Sequence, residues 1–92
     1  MLEEKIEIIN KLGLHLRAAT KLVQLASDFE AAITISCNEQ TADAKSIMDV
    51  LMLAAIVGTI VNIKVKGDSE NEEREIMNQL RSLFSNRFGE DE

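Results

Sequence analysis

In the stretch Leu16–Cys37, LRAATKLVQLASDFEAAITISC, the spacing of the apolar residues changes from that of a helix to that of a strand. Up to Phe29 the apolar side chains recur at helical spacing, with polar side chains on the opposite side. The apolar set is Ala19, Leu22, Val23, Ala26 and Phe29. From Ala32 onward apolar and polar residues alternate, which is typical of a strand with one buried face. The stretch therefore predicts an amphipathic helix followed by a half-buried strand.

Three other segments have the period of a strand. Lys5–Ile9 alternates with Ile6 and Ile8 facing inward, and Ile60–Lys66 alternates throughout. Gln40–Asp43 is placed to return along Ala32–Cys37 as a short hairpin partner, although the Asn38-Glu39 turn lacks the usual glycine. We expect four strands.

Two further helices are indicated by their first residues. Ser46 stands three residues before Asp49, and an apolar run follows through Leu53. Ser69 and Glu72 form a capping box, followed by apolar residues at helical spacing to about residue 85. We expect both serines to cap helices.

The element order is β-α-β-β-α-β-α, and the outer positions of the strands are polar. The simplest packing is an α+β open-faced sandwich, in which three helices cover one face of a four-stranded antiparallel sheet. A chain of 92 residues has room for one core. We assign residues 1–88 to a single domain and expect the acidic residues 89–92 to fray.

Composition excludes several classes of function. A net charge of −6, with no Trp or Tyr, argues against binding of nucleic acid. The single cysteine, Cys37, cannot form an internal disulfide and is expected in the core, and with the single His15 it makes no metal-ligand spacing, so no metal or cofactor is expected. The longest apolar run, Val50–Val57, is too short to span a bilayer, and the N-terminus does not resemble a signal peptide. We expect a soluble, cytoplasmic protein.

The segment around His15 is locally basic. Between Glu7 and Asp28 there is no carboxylate, whereas three basic residues occur, Lys11, Arg17 and Lys21. His15 lies where a loop enters the first helix, beside the free amides of the first turn and the positive end of the helix dipole. This field favours an anion and disfavours a positive imidazole, which leaves a ring nitrogen with its lone pair as a nucleophile.

Such a site suits a phosphoryl group, with Arg17 spreading the negative charge during transfer. The residues alone also permit a second interpretation, in which His15 only caps the helix and Arg17 is a solvated neighbour. No second base, metal ligand or glycine-rich phosphate cradle decides between them.

Two motifs carry a family resemblance. Asn10–Ala19, NKLGLHLRAA, is similar to the active-site segment of the HPr family, the histidine phosphocarriers of the bacterial phosphoenolpyruvate-dependent sugar phosphotransferase system. Ala44–Met48, AKSIM, resembles the family's second signature, around a regulatory serine. The resemblance covers residues from about 3 to 86 with the same order of elements.

The resemblance implies a carrier that turns over no substrate by itself. His15 would accept phosphate at Nδ1 from Enzyme I and pass it to an EIIA-type domain, while Arg17 and the first-turn amides of Leu16 and Ala18 hold the phosphoryl group. Ser46 would be a second site, modified by a serine kinase/phosphorylase. We expect the carrier to be a monomer.

Ala18 and Asp49 depart from the family pattern. Ala18 stands where the family usually has proline, which returns one backbone N–H that we expect to donate to phosphate or to a capping group. Asp49 lies at a position where the family rarely has an acid, and it would repel a phosphoserine at Ser46.

An apolar docking patch is expected around the histidine. Its members are Leu16, Thr20, Ile47, Met48 and Leu51. Ile47 and Leu51 could equally belong to the core, whereas Met48 suits partners of different shape.

Two alternatives to the sugar carrier remain open. A regulatory HPr-like protein, acting in nitrogen or carbon control, would dock to enzymes or transcription factors and would need the same histidine. A scaffold that binds partners without being phosphorylated would tolerate loss of His15.

Overall fold

A computed structural model describes residues 1–92 and has the predicted order of elements. The strands are β1 (Leu2–Glu7), β2 (Ala32–Cys37), β3 (Gln40–Asp43) and β4 (Ile60–Lys66). The helices are α1 (Leu16–Ser27), α2 (Ile47–Met52) and α3 (Glu70–Ser85). The α+β open-faced sandwich is confirmed.

The four strands form one sheet in the order β1-β4-β2-β3, and every neighbouring pair is antiparallel. At its centre Ile63 of β4 stands opposite Glu4 on one side and Ile35 on the other. The alternation predicted for β4 is present, since Val61 and Val65 are buried with Ile63 while the intervening side chains are more exposed. This buried face forms the core with the helices.

Both predicted capping serines cap their helices. Ser46 Oγ accepts from the amide of Asp49 at 3.3 Å, and Ser69 Oγ accepts from the amide of Glu72 at 3.1 Å. Cys37 is buried in the core as expected, and this burial raises the pKa of its thiol. The β2–β3 turn is made without glycine by Asn38 and Glu39, which adopt φ values of 51° and 67°.

The first strand differs from its predicted bounds. It begins at Leu2 rather than Lys5, because β4 is long enough to pair Leu2 with Val65. It ends at Glu7, and Ile8 is fully buried just beyond it, where its amide donates to the carbonyl of Thr59 at 2.9 Å. Alternation alone could not find the first residues, where two glutamates interrupt the apolar pattern.

The C-terminal end of the chain differs more. After α3, Arg87, Phe88 and Gly89 form a tight turn with φ values of 54°, 54° and 79°, and Phe88 is fully buried in it. Residues 89–92, which the sequence predicts to fray, instead lie against the loop before α1, and the carbonyl of Glu92 accepts from the amide of Lys11 at 3.0 Å. None of the helices combines the length and apolarity that crossing a bilayer requires.

Candidate phosphoryl-transfer site

His15 occupies the N-cap position of α1. Its backbone is extended, with φ −74° and ψ 179°, and its carbonyl accepts the first helical hydrogen bond from Ala19 at 2.8 Å. Its imidazole makes no hydrogen bond to the first turn. His15 therefore caps the helix through its backbone and not through its side chain.

The first turn of α1 is left with free donors. The amides of Leu16, Arg17 and Ala18 have no acceptor in the protein. Leu16 and Arg17 are exposed, whereas Ala18 is fully buried. The expected capping partner for the Ala18 amide is absent, and this amide is unpaired but buried. The amides of the exposed Leu16 and Arg17, with the helix dipole, are open to an anion.

The imidazole of His15 is held at one nitrogen only. Its Nε2 contacts a carboxylate oxygen of Glu90, and Nδ1 has no partner in the protein. The other Glu90 oxygen accepts from Nδ2 of Asn10 at 3.0 Å. The side chain of His15 is 26% exposed, so part of it is open to solvent.

Glu90 is a site residue that sequence reasoning missed. Burial raises the pKa of Glu90, but hydrogen bonds from Asn10 and His15 and the charges of His15 and Arg17 outweigh it, so the pKa of Glu90 lies below its ordinary value. The signal that could have indicated Glu90 was electrostatic, because a basic segment without carboxylates attracts an acidic side chain from another part of the chain.

Residues 88–92, which we call the tail, also supply acceptors for Lys11 and Lys21. Lys11 Nζ pairs with the Glu92 carboxylate at 3.4 Å, and Lys21 Nζ donates to the carbonyl of Phe88 at 2.7 Å. A cleft of about 460 Å³ lies between the tail and the start of α1. Its lining residues are Lys11, Leu12, Arg17, Gly89, Glu90, Asp91 and Glu92.

These contacts add a carboxylate to a segment that contains only basic charges, since Glu90 contacts Nε2 of His15. No group of three or more His, Cys, Asp or Glu side chains is arranged to hold a metal ion.

The predicted docking residues differ in exposure. Leu16 and Met48 are 63% and 68% exposed. Thr20 is half-buried and its hydroxyl donates to the carbonyl of Leu16 at 2.7 Å. Ile47 and Leu51 are also half-buried, so neither belongs wholly to the core or to the surface.

The exposed apolar surface is larger than predicted. Met52 lies one turn beyond Met48 and is 71% exposed, and Ile56 is 68% exposed in the loop after α2. That loop contacts the loop before His15, because the Ala55 carbonyl accepts from the Leu14 amide at 3.0 Å. Leu12, in the loop before His15, is 64% exposed. We use the name apolar patch for these exposed side chains, Leu12, Leu16, Met48, Met52 and Ile56.

Comparison with known proteins shows the family of the chain. The chain matches the PTS-HPr family, described as the PTS HPr component phosphorylation site, over residues 2–86. Phosphocarrier protein HPr of Cupriavidus necator is 49% identical over 92 residues and covers all of both chains. Phosphocarrier protein NPr of Shewanella violacea is 50% identical over 66 residues, which is 72% of each chain.

Solved structures have the same fold. HPr of Thermoanaerobacter tengcongensis superposes with a TM-score of 0.87 at 38% identity, over the whole of both chains. A second structure from that organism is described as an HPr dimer, and it gives a TM-score of 0.71 at 39% identity over 98% of this chain and 100% of that one. The chain belongs to the HPr family, the phosphocarrier proteins of the bacterial phosphotransferase system.

Proposed function

We propose that His15 is the residue that carries the phosphoryl group, accepting it from phosphorylated Enzyme I and passing it to an EIIA-type domain. The observation that carries the proposal is a partly exposed imidazole at the N-cap of α1, beside three amides that have no acceptor. A helix start of this kind is an anion site, and the imidazole brings a nucleophile to its edge.

The first turn explains how the phosphoryl group would be held. N-cap residues normally place a side-chain oxygen on the amide of the second or third helical residue, here Arg17 or Ala18. Imidazole has no such oxygen, but a phosphoryl group on Nδ1 would supply three. The helix end then contributes about 0.3–1 kcal/mol, and up to about 2 where it is partly buried.

Arg17 would supply the remaining charge. A hydrogen bond from its guanidinium to a phosphoryl oxygen is worth about 1.5–3 kcal/mol. Phosphoryl transfer passes through a loose transition state with charge spread over the equatorial oxygens, which a planar guanidinium can match. We therefore assign the amides of Leu16, Arg17 and Ala18 and the Arg17 side chain to phosphate binding.

The apolar patch, with Thr20, Ile47 and Leu51 at its edge, is the proposed docking surface for both partners. Exposed methionines adapt to surfaces of different shape, and a carrier must meet a donor and an acceptor in turn. Each complex must be released quickly, which is typical of interfaces below about 1,200 Å². We propose a monomer as the transferring form, since the patch must be free to dock.

Ser46 is proposed as a regulatory site at the edge of this surface. Ser46 is only half-buried, and as the N-cap of α2 it lies two residues before the exposed Met48. A phosphate there would add charge beside an apolar surface and weaken Enzyme I binding by desolvation and repulsion. Asp43 and Asp49 stand close, as Asp49 Oδ2 accepts from the Asp43 amide at 3.4 Å, and they would oppose the modification.

The decisive experiment is incubation with phosphoenolpyruvate, Mg²⁺ and a cognate Enzyme I, followed by mass measurement of the wild type and His15→Ala. One acid-labile phosphoryl group on the wild type alone is expected. Phosphorylation of His15→Ala to the same extent would end the proposal. In the same assay Ser46→Asp should slow phosphorylation at limiting Enzyme I, and an unchanged rate would count against regulation at Ser46.

A regulatory role, as an alternative to sugar transport, is favoured by the similarity to Crh of Bacillus subtilis, which is described as a catabolite repression HPr and is 30% identical with a TM-score of 0.61. Both roles use the same phosphohistidine. Transfer of phosphate from the labelled carrier to EIIA domains of sugar permeases supports transport. Transfer only to non-permease EIIA domains supports regulation.

A further inference from the structure

The Glu90 carboxylate is fixed in place by contacts with two side chains. Its side chain is only 8% exposed, and its two oxygens contact His15 Nε2 and Asn10 Nδ2. Asn10 is fully buried and uses its second amide proton on the carbonyl of Gly13 at 2.8 Å. The carboxylate is thus fixed by two donors, one of which is itself fixed to the loop before α1.

The backbone of the tail is fixed as well. Two residues before Glu90, Phe88 is fully buried, and the Phe88 carbonyl accepts a hydrogen bond from Lys21 Nζ at 2.7 Å. Two residues after Glu90, the carbonyl of Glu92 accepts from the Lys11 amide at 3.0 Å. The chain is therefore fixed both before and after Glu90, and the fold itself places Glu90 against His15.

The protonation state of Glu90 decides the tautomer of His15. A carboxylate with a lowered pKa is ionised at neutral pH and can only accept hydrogen bonds. Nε2 must then carry the proton, which leaves the lone pair on Nδ1. Nδ1 has no partner in the protein and is free to attack.

We propose that Glu90 is a positioning residue for phosphoryl transfer, which fixes the ring of His15 with Nδ1 as the nucleophile and compensates the charge formed on that ring. This rests on the proposed function of His15. In the step, the Nδ1 lone pair forms the new P–N bond while the bond between phosphorus and the donor atom breaks, and the electron pair of that bond stays on the donor. No proton leaves His15.

The product explains why a carboxylate suits this position. A phosphoryl group on Nδ1 with a proton on Nε2 gives a positive imidazolium ring. Glu90 lies against Nε2, and the charged groups around it are Arg17, Lys11 and Lys21 together with Asp91 and Glu92 of the tail. Among these, Glu90 is the carboxylate that contacts the ring, so it stabilises the charge where it forms.

The tautomer can be measured without phosphorylation. Long-range ¹H–¹⁵N spectra of the imidazole should show the Nε2–H form in the wild type and a mixture in Glu90→Gln, because an amide can either donate or accept. Glu92→Gln is the matched control, as it removes the same charge from the tail but contacts only Lys11. An unchanged tautomer in Glu90→Gln would overturn the assignment.

Transfer kinetics provide the second readout. In Glu90→Gln the maximal rate of phosphorylation by Enzyme I should fall about tenfold, as when the orienting partner of a functional histidine is lost, with KM for the carrier unchanged. Glu92→Gln should retain the wild-type rate. Faster phosphorylation of Glu90→Gln would show that the tail obstructs the ring and would also overturn the proposal. If even the wild type accepts no phosphate, the function of His15 fails while the spectra still test the contact.

Discussion

The ring of Phe88 packs edge-on against Phe84, with ring centroids 4.9 Å apart and planes inclined by 60°. Both side chains are buried in the core, although Phe88 follows the end of α3. Aromatic pairs in this arrangement are worth about 0.5–1.5 kcal/mol beyond the burial of their surface. Through this pair the last residues of the chain are joined to the core that supports His15.

Phe88→Ala should therefore destabilise the fold and release the tail. Loss of a buried phenyl ring costs about 3–5 kcal/mol, measured as the change in free energy of unfolding in urea. Phe29→Ala, at a half-buried position, should cost less. A loss below about 1 kcal/mol for Phe88→Ala would mean that the ring is not an anchor.

Ser46→Ala should remove one helix cap. The Ser46 hydroxyl accepts from the amide of Asp49, and replacing an N-cap serine by alanine typically costs about 1 kcal/mol. Thermal unfolding should record a lower Tm. Ser27→Ala, exposed at the last residue of α1, serves as the control and should be nearly neutral. Equal Tm values for Ser46→Ala and Ser27→Ala would show that the Ser46 cap does not stabilise the fold.

Glu73 should make stability depend on pH. The Gly67 amide donates to the Glu73 carboxylate at 2.9 Å, and this hydrogen bond lowers the pKa of Glu73. Burial raises the pKa, but the N-terminal amine of Met1, 3.2 Å from the carboxylate, also lowers it. A lowered pKa in the folded state gives stability that is present above the ordinary value near 4.5 and is lost as the pH falls through the lowered value.

In Glu73→Gln the free energy of unfolding should accordingly depend less on pH at acid pH. Urea unfolding across a series of pH values measures it, and the variant should lose stability at neutral pH while changing less on acidification. Glu75→Gln is the control, because Glu75 is exposed and its carboxylate accepts only from Gln79. The same slope in Glu73→Gln and the wild type would exclude Glu73 as the source.

Local patterns were sufficient to predict most of the fold. Alternation fixed both ends of β4, and the Ser69 capping box fixed the start of α3. His15 could be placed because a helix start follows directly from the apolar period of α1. These signals lie within a few residues of the features that they predict.

The rest depends on contacts between distant parts of the chain. Glu90 is 75 residues from His15, and neither a period nor a motif connects them. Phe88 gives no pattern because it is a single aromatic residue in a short polar segment. Met52 and Ile56 were likewise missed, since an apolar residue has the same signal whether tertiary packing buries it or leaves it exposed.

Ala18→Pro should leave the fold intact and weaken the hold on phosphate. The Ala18 amide has no partner and lies in the first turn, where proline is tolerated. If that amide donates to the phosphoryl group, its loss costs about 1 kcal/mol, and the phosphorylated form should lose phosphate several times faster. Ala19→Pro provides the contrast, as it removes the hydrogen bond to the His15 carbonyl and should unfold α1. Unchanged lability in a folded Ala18→Pro would show that the amide takes no part.

Met48→Glu should separate docking from stability. Its side chain is 68% exposed, so the free energy of unfolding should change by less than about 0.5 kcal/mol. A carboxylate in the apolar patch must be desolvated when a partner docks, so KM for the carrier should rise about tenfold with Enzyme I and with EIIA. Ser82→Glu adds the same charge on the exposed side of α3, where no carboxylate stands one turn away, and should change neither. If both variants raise KM equally, the effect comes from net charge, and Met48 does not belong to the docking surface.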